Sequence, residues 1–144
     1  MSVSTGSFNT GVGAGTLALN TADSNTAIGV AALLLNTTGT ENTANGTAAL
    51  EFNETGSNNT ASGAFALFSN TTGVANTASG GRALFSNTDG NFNTATGFFS
   101  LHDNIGGTGN TANGASALLH NTIGSLNTAV GGNALLSNTT GTEN

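Results

Sequence analysis

Side chains able to do chemistry are few in this 144-residue chain: two histidines, His102 and His120, seven carboxylates, a single arginine, Arg82, and neither lysine nor cysteine. The carboxylates, Asp23, Glu41, Glu51, Glu54, Asp89, Asp103 and Glu143, are scattered. Acid–base catalysis by paired carboxyls needs two of them converging on one bond. Only Glu51 and Glu54 are close in sequence, and nothing elsewhere in the chain repeats their spacing, so they read as surface solvation. His102, Asp103 and His120 are the one set with metal-ligating side chains. In regular strand the two histidines point to different faces, which makes them interface or exposed residues rather than ligands. The glycine-rich stretch 106–110 lacks the aspartates of a calcium loop. Gly11 to Gly15 is followed by no Gly-Lys-Ser/Thr phosphate loop. The sequence therefore predicts no catalytic residue, no metal and no cofactor: a non-enzyme.

Charge and composition narrow the partners. A formal net charge of −6 with one basic residue lacks the positive footprint of a nucleic-acid binder. The absence of cysteine removes disulfides and thiolate sites. Charged residues make up only 6% of the chain, unlike disordered chains, which combine low hydropathy with high charge. The longest apolar run, Val30 to Leu35, is far short of the roughly 20 residues of a membrane-spanning helix. Met1 to Phe8 has no basic start followed by an apolar stretch. Neither membrane insertion nor a secretion signal is expected. Glycosylation sequons at Asn36, Asn45, Asn53, Asn58, Asn70 and Asn138 are incidental to the repeat described next.

What must position any functional group is a repeat. Of the 144 residues, 22 are Gly, 22 Asn and 25 Thr. Units open at Asn9, Asn25, Asn42, Asn59, Asn76, Asn93, Asn110 and Asn127, spaced by 16 residues once and by 17 thereafter. Each reads N-T-A-x-G-x-x-A-L-x-x-N-T-T-G-x-x. Thr at the second position, Gly at the fifth, Leu at the ninth and Asn at the twelfth do not vary. Seventeen residues are too few for a helical hairpin, and paired glycines with β-branched Thr oppose helix. The prediction is an all-β, parallel β-solenoid of about eight 17-residue coils forming a single domain over residues 1–144, with glycine corners at the fifth and fifteenth positions. At about 4.8 Å per strand it is a rod roughly 40 Å long.

Small alanines at the third and eighth positions, with the ninth-position Leu, fill a narrow interior. The twelfth-position asparagines, Asn20, Asn36, Asn53, Asn70, Asn87, Asn104, Asn121 and Asn138, are predicted to form a ladder that fixes register, each amide donating to the next. The tenth position holds Ala18, Leu34, Glu51, Phe68, Phe85, His102, Leu119 and Leu136. By strand alternation it faces away from the ninth-position Leu. Leu34, Phe68, Phe85, Leu119 and Leu136 then form an outward apolar stripe and a candidate chain–chain interface. The invariant second-position Thr raises an alternative, an ice-binding face, although Asn and Ala flank it where a Thr-x-Thr pair is the usual form.

The unit Asn25-Thr-Ala-Ile-Gly-Val-Ala-Ala-Leu33, repeated as Asn127-Thr-Ala-Val-Gly-Gly-Asn-Ala-Leu135, resembles the head repeats of trimeric autotransporter adhesins, the YadA-like head. It is also similar to 17-residue arrays of phage and viral tail fibres. The resemblance covers nearly the whole chain, from about Ser4 to Asn144. It implies a left-handed β-roll, three chains side by side, and a structural role in an extracellular fibre, adhesin head or tail fibre at a cell surface or on a virion, with a host-surface or glycan receptor as possible partner. A carbohydrate- or matrix-binding module is the alternative from another class, with Phe65, Phe92, Phe98 and Phe99 as its only aromatic candidates. The array carries no polar caps, so the sequence is read either as part of a longer array or as a subunit stacking head to tail into filaments.

Overall fold

A computed structural model describes residues 5–144. Met1 to Ser4, part of the segment read as lacking a secretion signal, lie outside the described residues. Eight three-residue strands, one per unit, form one parallel sheet in sequence order: β1 (Thr10–Val12), β2 (Thr26–Ile28), β3 (Thr43–Asn45), β4 (Thr60–Ser62), β5 (Thr77–Ser79), β6 (Thr94–Thr96), β7 (Thr111–Asn113) and β8 (Thr128–Val130). Every pairing places like positions opposite, as in Thr77↔Thr94, Ala78↔Ala95 and Ser79↔Thr96. This is the 17-residue β-solenoid that the period predicts. Among the described residues no helix is long and apolar enough to cross a membrane.

The interior holds three columns. Third-position alanines from Ala27 to Ala112, eighth-position alanines such as Ala49, Ala66 and Ala83, and ninth-position leucines from Leu33 to Leu118 are fully buried. In the sixth coil Ser100 replaces the eighth-position Ala, and its buried hydroxyl donates to the Gly97 carbonyl at 3.0 Å. The apolar side chains between the walls are methyls and one isobutyl group per coil, beside two buried asparagines. Outside β1–β8, backbone bonds still run from coil to coil, as from Leu67 N to Ala83 O and from Leu84 N to Ser100 O, both 3.0 Å.

The corners differ from the expectation in kind. The fifth-position glycines have φ between 116° and 146°, a region closed to other residues. The fifteenth-position glycines have no such φ. They are glycine because a Cβ at Gly73 would sit 2.4 Å from Asn70 Oδ1 and 2.6 Å from the Gly90 carbonyl oxygen. The corner expected at the fifth position is present, the one at the fifteenth has no left-handed backbone, and further turns fall at the seventh, ninth and seventeenth positions. Ordinary residues adopt left-handed φ there: Phe65 60°, Leu67 51° and Ala75 56° in one coil, Arg82 57°, Leu84 52° and Phe92 56° in the next.

Left-handed backbone costs a residue with a Cβ about 1–2 kcal/mol. The chain already uses glycine at two of these places, Gly15 (φ 73°) and Gly109 (φ 71°). Ala75→Gly and Ser116→Gly are therefore expected to raise stability by roughly 0.5–1 kcal/mol each, against glycine's usual effect in a folded element. Urea unfolding checks this, and a lowered midpoint for both would show that the turns hold no strain.

Candidate interaction surface

Among the described residues the solenoid has no pocket, so its functional features are ladders and faces. The asparagine ladder runs through the eight twelfth-position residues. Asn53 Nδ2 donates to Asn36 Oδ1 at 2.7 Å, Asn70 to Asn53 at 2.7 Å, Asn87 to Asn70 at 2.8 Å, Asn104 to Asn87 at 2.7 Å, and Asn121 to Asn104 and Asn138 to Asn121 at 2.9 Å. Asn36 donates to Asn20 in the same way. Donation runs toward the N-terminus, opposite to the direction expected from sequence. The second N–H of each amide from Asn36 onward goes to the carbonyl of the fifteenth-position Gly of its own coil, as from Asn87 to Gly90 at 3.0 Å.

A second ladder is built by the first-position asparagines. Asn76 Oδ1 accepts the backbone N–H of Asn93 at 3.0 Å, and Asn76 Nδ2 donates to Gly90 O at 2.8 Å. Each fifteenth-position carbonyl thus receives two amides, which uses both its lone pairs. No buried side-chain nitrogen or oxygen among the described residues is left without a partner. Sequence reasoning missed a third, partial ladder at the sixteenth position. Ser57 Oγ, Asn91 Oδ1 and Ser125 Oγ each accept a backbone N–H from the preceding coil, at 3.0, 2.8 and 3.0 Å. Thr108 and Ser125 are consequently tied into the coil stacking, although their small polar types suggest idle surface.

The tenth-position stripe lies on the outside. Leu34, Phe68, Phe85, His102, Leu119 and Leu136 are each half-buried beside core leucines. Strand alternation is not the cause, since these residues sit in turns. The left-handed ninth residue points its own side chain inward and sends the next one out. The rings of Phe68 and Phe85 stack 5.0 Å apart at 7°, and Phe85 and His102 stack 5.1 Å apart at 2°. Neighbouring positions widen the cluster: Phe52 and Phe65 meet Phe68 edge-on, and Phe99 meets His102. The guanidinium of Arg82 lies 5.7 Å from the ring centroids of Phe65, Phe85 and Phe99, so the one basic side chain is part of an aromatic face. Phe98 packs on Phe99 and remains 57% exposed, and Phe92 is 65% exposed.

The two histidines do not diverge. His102 Nδ1 lies 2.6 Å from Asp103 Oδ1 and His120 Nδ1 lies 2.8 Å from Asp103 Oδ2. One carboxylate joins two imidazoles of successive coils. The turn geometry of this segment, rather than a strand, overrides the alternation that would separate them. Burial pushes the Asp103 carboxyl up, but the hydrogen bonds from His102 and His120 and their nearby charge outweigh it and hold the group below its ordinary value. Glu51 is half-buried and Glu54 exposed.

The outer face of the sheet is different again. Each strand points its second and fourth residues outward and its third inward, so β3 to β8 read exposed–buried–exposed. The same-face neighbour of each invariant Thr is therefore the fourth residue, Ser62, Ser79 or Thr96 in the central strands, and not the Asn and Ala weighed from sequence. No charged residue lies on this face. Comparison with protein-family models, curated proteins and solved structures finds no match for this chain in any of the three.

Proposed function

We propose that this chain is a non-enzymatic structural solenoid, the repeat region of an extracellular fibre, adhesin head or tail fibre, whose copies associate side by side through the tenth-position stripe. The observation that carries the reading is the column of half-buried side chains along the rod, apolar in six coils of eight and interrupted by Glu51 and His102. Its period is that of the fold itself. A partner that touches every rung needs the same axial spacing, and another copy of the chain supplies it. Ring stacking along the axis turns the faces of Phe68, Phe85 and His102 toward one another. A sugar, which stacks on open ring faces, meets edges there, so this column favours protein contact over glycan binding. Likeness of the repeat unit to adhesin-head and tail-fibre units supports a surface or virion setting and a trimer among the oligomers.

The test is the mass of the chain in solution together with a Phe68→Glu, Phe85→Glu double variant. The wild type is expected to be a discrete oligomer. The variant is expected to be a monomer that keeps its far-ultraviolet β signal, because each half-buried ring loses stacking worth about 0.5–1.5 kcal/mol and part of its surface burial while the fully buried alanines, leucines and asparagines are untouched. Loss of folding without a change in assembly would place these rings in the structural core.

A second reading, an ice-binding face, draws on the outer surface of β1–β8. Eight threonines stand in register on parallel strands, about 4.8 Å apart. No hydrogen bond ties their hydroxyls to protein among the described residues. The thirteenth-position threonines, by contrast, bond the next coil, as from Thr37 Oγ1 to Glu54 O at 2.8 Å. A regular hydroxyl–methyl lattice on an uncharged face suits an ordered water layer. On this reading the wild type shows thermal hysteresis and a Thr60→Lys, Thr77→Lys, Thr94→Lys variant loses it. Absence of hysteresis in the wild type removes the reading.

A further inference from the structure

Resting on the reading of the stripe as a contact between copies, we propose that His102, Asp103 and His120 make that contact pH-sensitive, holding copies together near neutrality and releasing them when both imidazoles are protonated. His102 is itself a rung of the stripe, stacked on Phe85 at 5.1 Å and edge-on to Phe99 at 4.9 Å. It shares Asp103 with His120 of the next coil. The other charged group touching these rings among the described residues is Arg82, placed over both Phe85 and Phe99. Glu51 occupies the same column three coils away.

With neutral imidazoles, Asp103 and Arg82 cancel and the patch carries no net charge. With both imidazoles protonated it carries two positive charges. In a symmetric assembly built on this column, equivalent patches lie close to one another. Protonation then sets like charge near like charge in a desolvated contact, which disfavours association. Within one chain the effect has the opposite sign. Each hydrogen bond to Asp103 becomes an ion pair and strengthens, so the coils hold while the copies part.

Net charge does not produce the same result. The formal value of −6 with neutral histidines becomes less negative on acidification, which reduces overall repulsion and favours assembly. Release on acidification therefore points to the local patch.

The experiment is sedimentation of the full chain at about pH 8 and about pH 5.5, which bracket histidine protonation, at constant ionic strength and with a chelator present. A His102→Phe, His120→Ser variant is run beside it. Phenylalanine continues the Phe68–Phe85 stack, and serine is the eleventh-position residue of other coils, at Ser69 and Ser86. The association constant of the wild type is expected to fall at least tenfold at the lower pH, and that of the variant to stay level. A wild-type assembly that holds or tightens at low pH, or a variant that weakens equally, overturns the proposal. Loss of the far-ultraviolet β signal at low pH overturns it too, by assigning dissociation to unfolding. A wild type already monomeric at the higher pH defeats the contact reading, and the gating with it, and is recognisable because no assembly exists to be released.

Discussion

Replacing Asn87 with aspartate is expected to lower the stability of the solenoid at neutral pH by roughly 3–5 kcal/mol, the scale of an uncompensated buried charge. Asn87 is fully buried. Its Nδ2 donates to Asn70 Oδ1 at 2.8 Å and to Gly90 O at 3.0 Å, while its Oδ1 accepts from Asn104 at 2.7 Å. A carboxylate keeps the acceptor and turns both donations into oxygen–oxygen contacts. Asn87→Leu is uncharged but orphans Asn70 Oδ1 and one Asn104 N–H, at about 1–3 kcal/mol for each buried group. Gly90 O keeps a donor, since Asn76 Nδ2 also reaches it at 2.8 Å. The pH dependence separates the two variants. Burial raises the pKa of the new carboxyl above its unfolded value, so the aspartate penalty grows with pH above about 4 and shrinks below it, where the protonated acid donates again. The leucine penalty does not move. Thr77→Ser, on the exposed face, is the control. Denaturant unfolding of the three variants at two pH values is the measurement, and equal midpoints for Asn87→Asp and Thr77→Ser would remove the ladder from the stability of this fold.

That ladder was legible because one residue type stood at one place in every coil, and an amide both donates and accepts along a stack. The coil period and the inward ninth-position Leu were legible for the same reason: repetition shows which positions face a copy of themselves. The turns were not. Left-handed φ at Leu67, Phe65 or Arg82 has no signature in those residue types, because the backbone is held there by bonded coils on either side and not by the residue's own preference. The hints lie in Gly15 and Gly109, and in Asn58 and Asn133, which take such positions once each and are of the types that tolerate left-handed backbone. Missing the turns also misplaced His102 and His120. Alternation holds for three residues per coil, and both histidines lie outside the strands. The sixteenth-position acceptors escaped notice because Ser57, Asn91, Thr108 and Ser125 share a function without sharing a type. The aromatic cluster was visible only as its tenth-position column, since Phe65, Phe99 and Arg82 join it through turn geometry.

Gly80→Ala separates the two reasons why this fold uses glycine. At Gly80, φ is 140° and a Cβ would lie 2.5 Å from the Gly97 carbonyl oxygen and 2.7 Å from its carbon. The clash is with backbone of the next coil, which cannot retreat without opening the β5–β6 pairing. Strained φ costs about 1–3 kcal/mol and overpacking a further 1–3 or so, so the expected loss is roughly 2–6 kcal/mol, enough to unfold a marginal array. Gly131 has the same turn, φ 116°, with nothing within 4 Å of its would-be Cβ. Gly131→Ala meets the strain alone and is expected to lose only the first part. Gly73→Ala is the complement: its φ is ordinary, but the Cβ meets Asn70 Oδ1 at 2.4 Å and Asn87 Nδ2 at 2.9 Å, so it damages the ladder instead of the corner. Thermal unfolding should rank Gly80→Ala and Gly73→Ala well below Gly131→Ala. If Gly131→Ala is as damaging as Gly80→Ala, backbone strain governs and the close approach of successive coils does not. If all three melt like the wild type, the coils are looser than 17-residue register and two unbroken amide ladders allow.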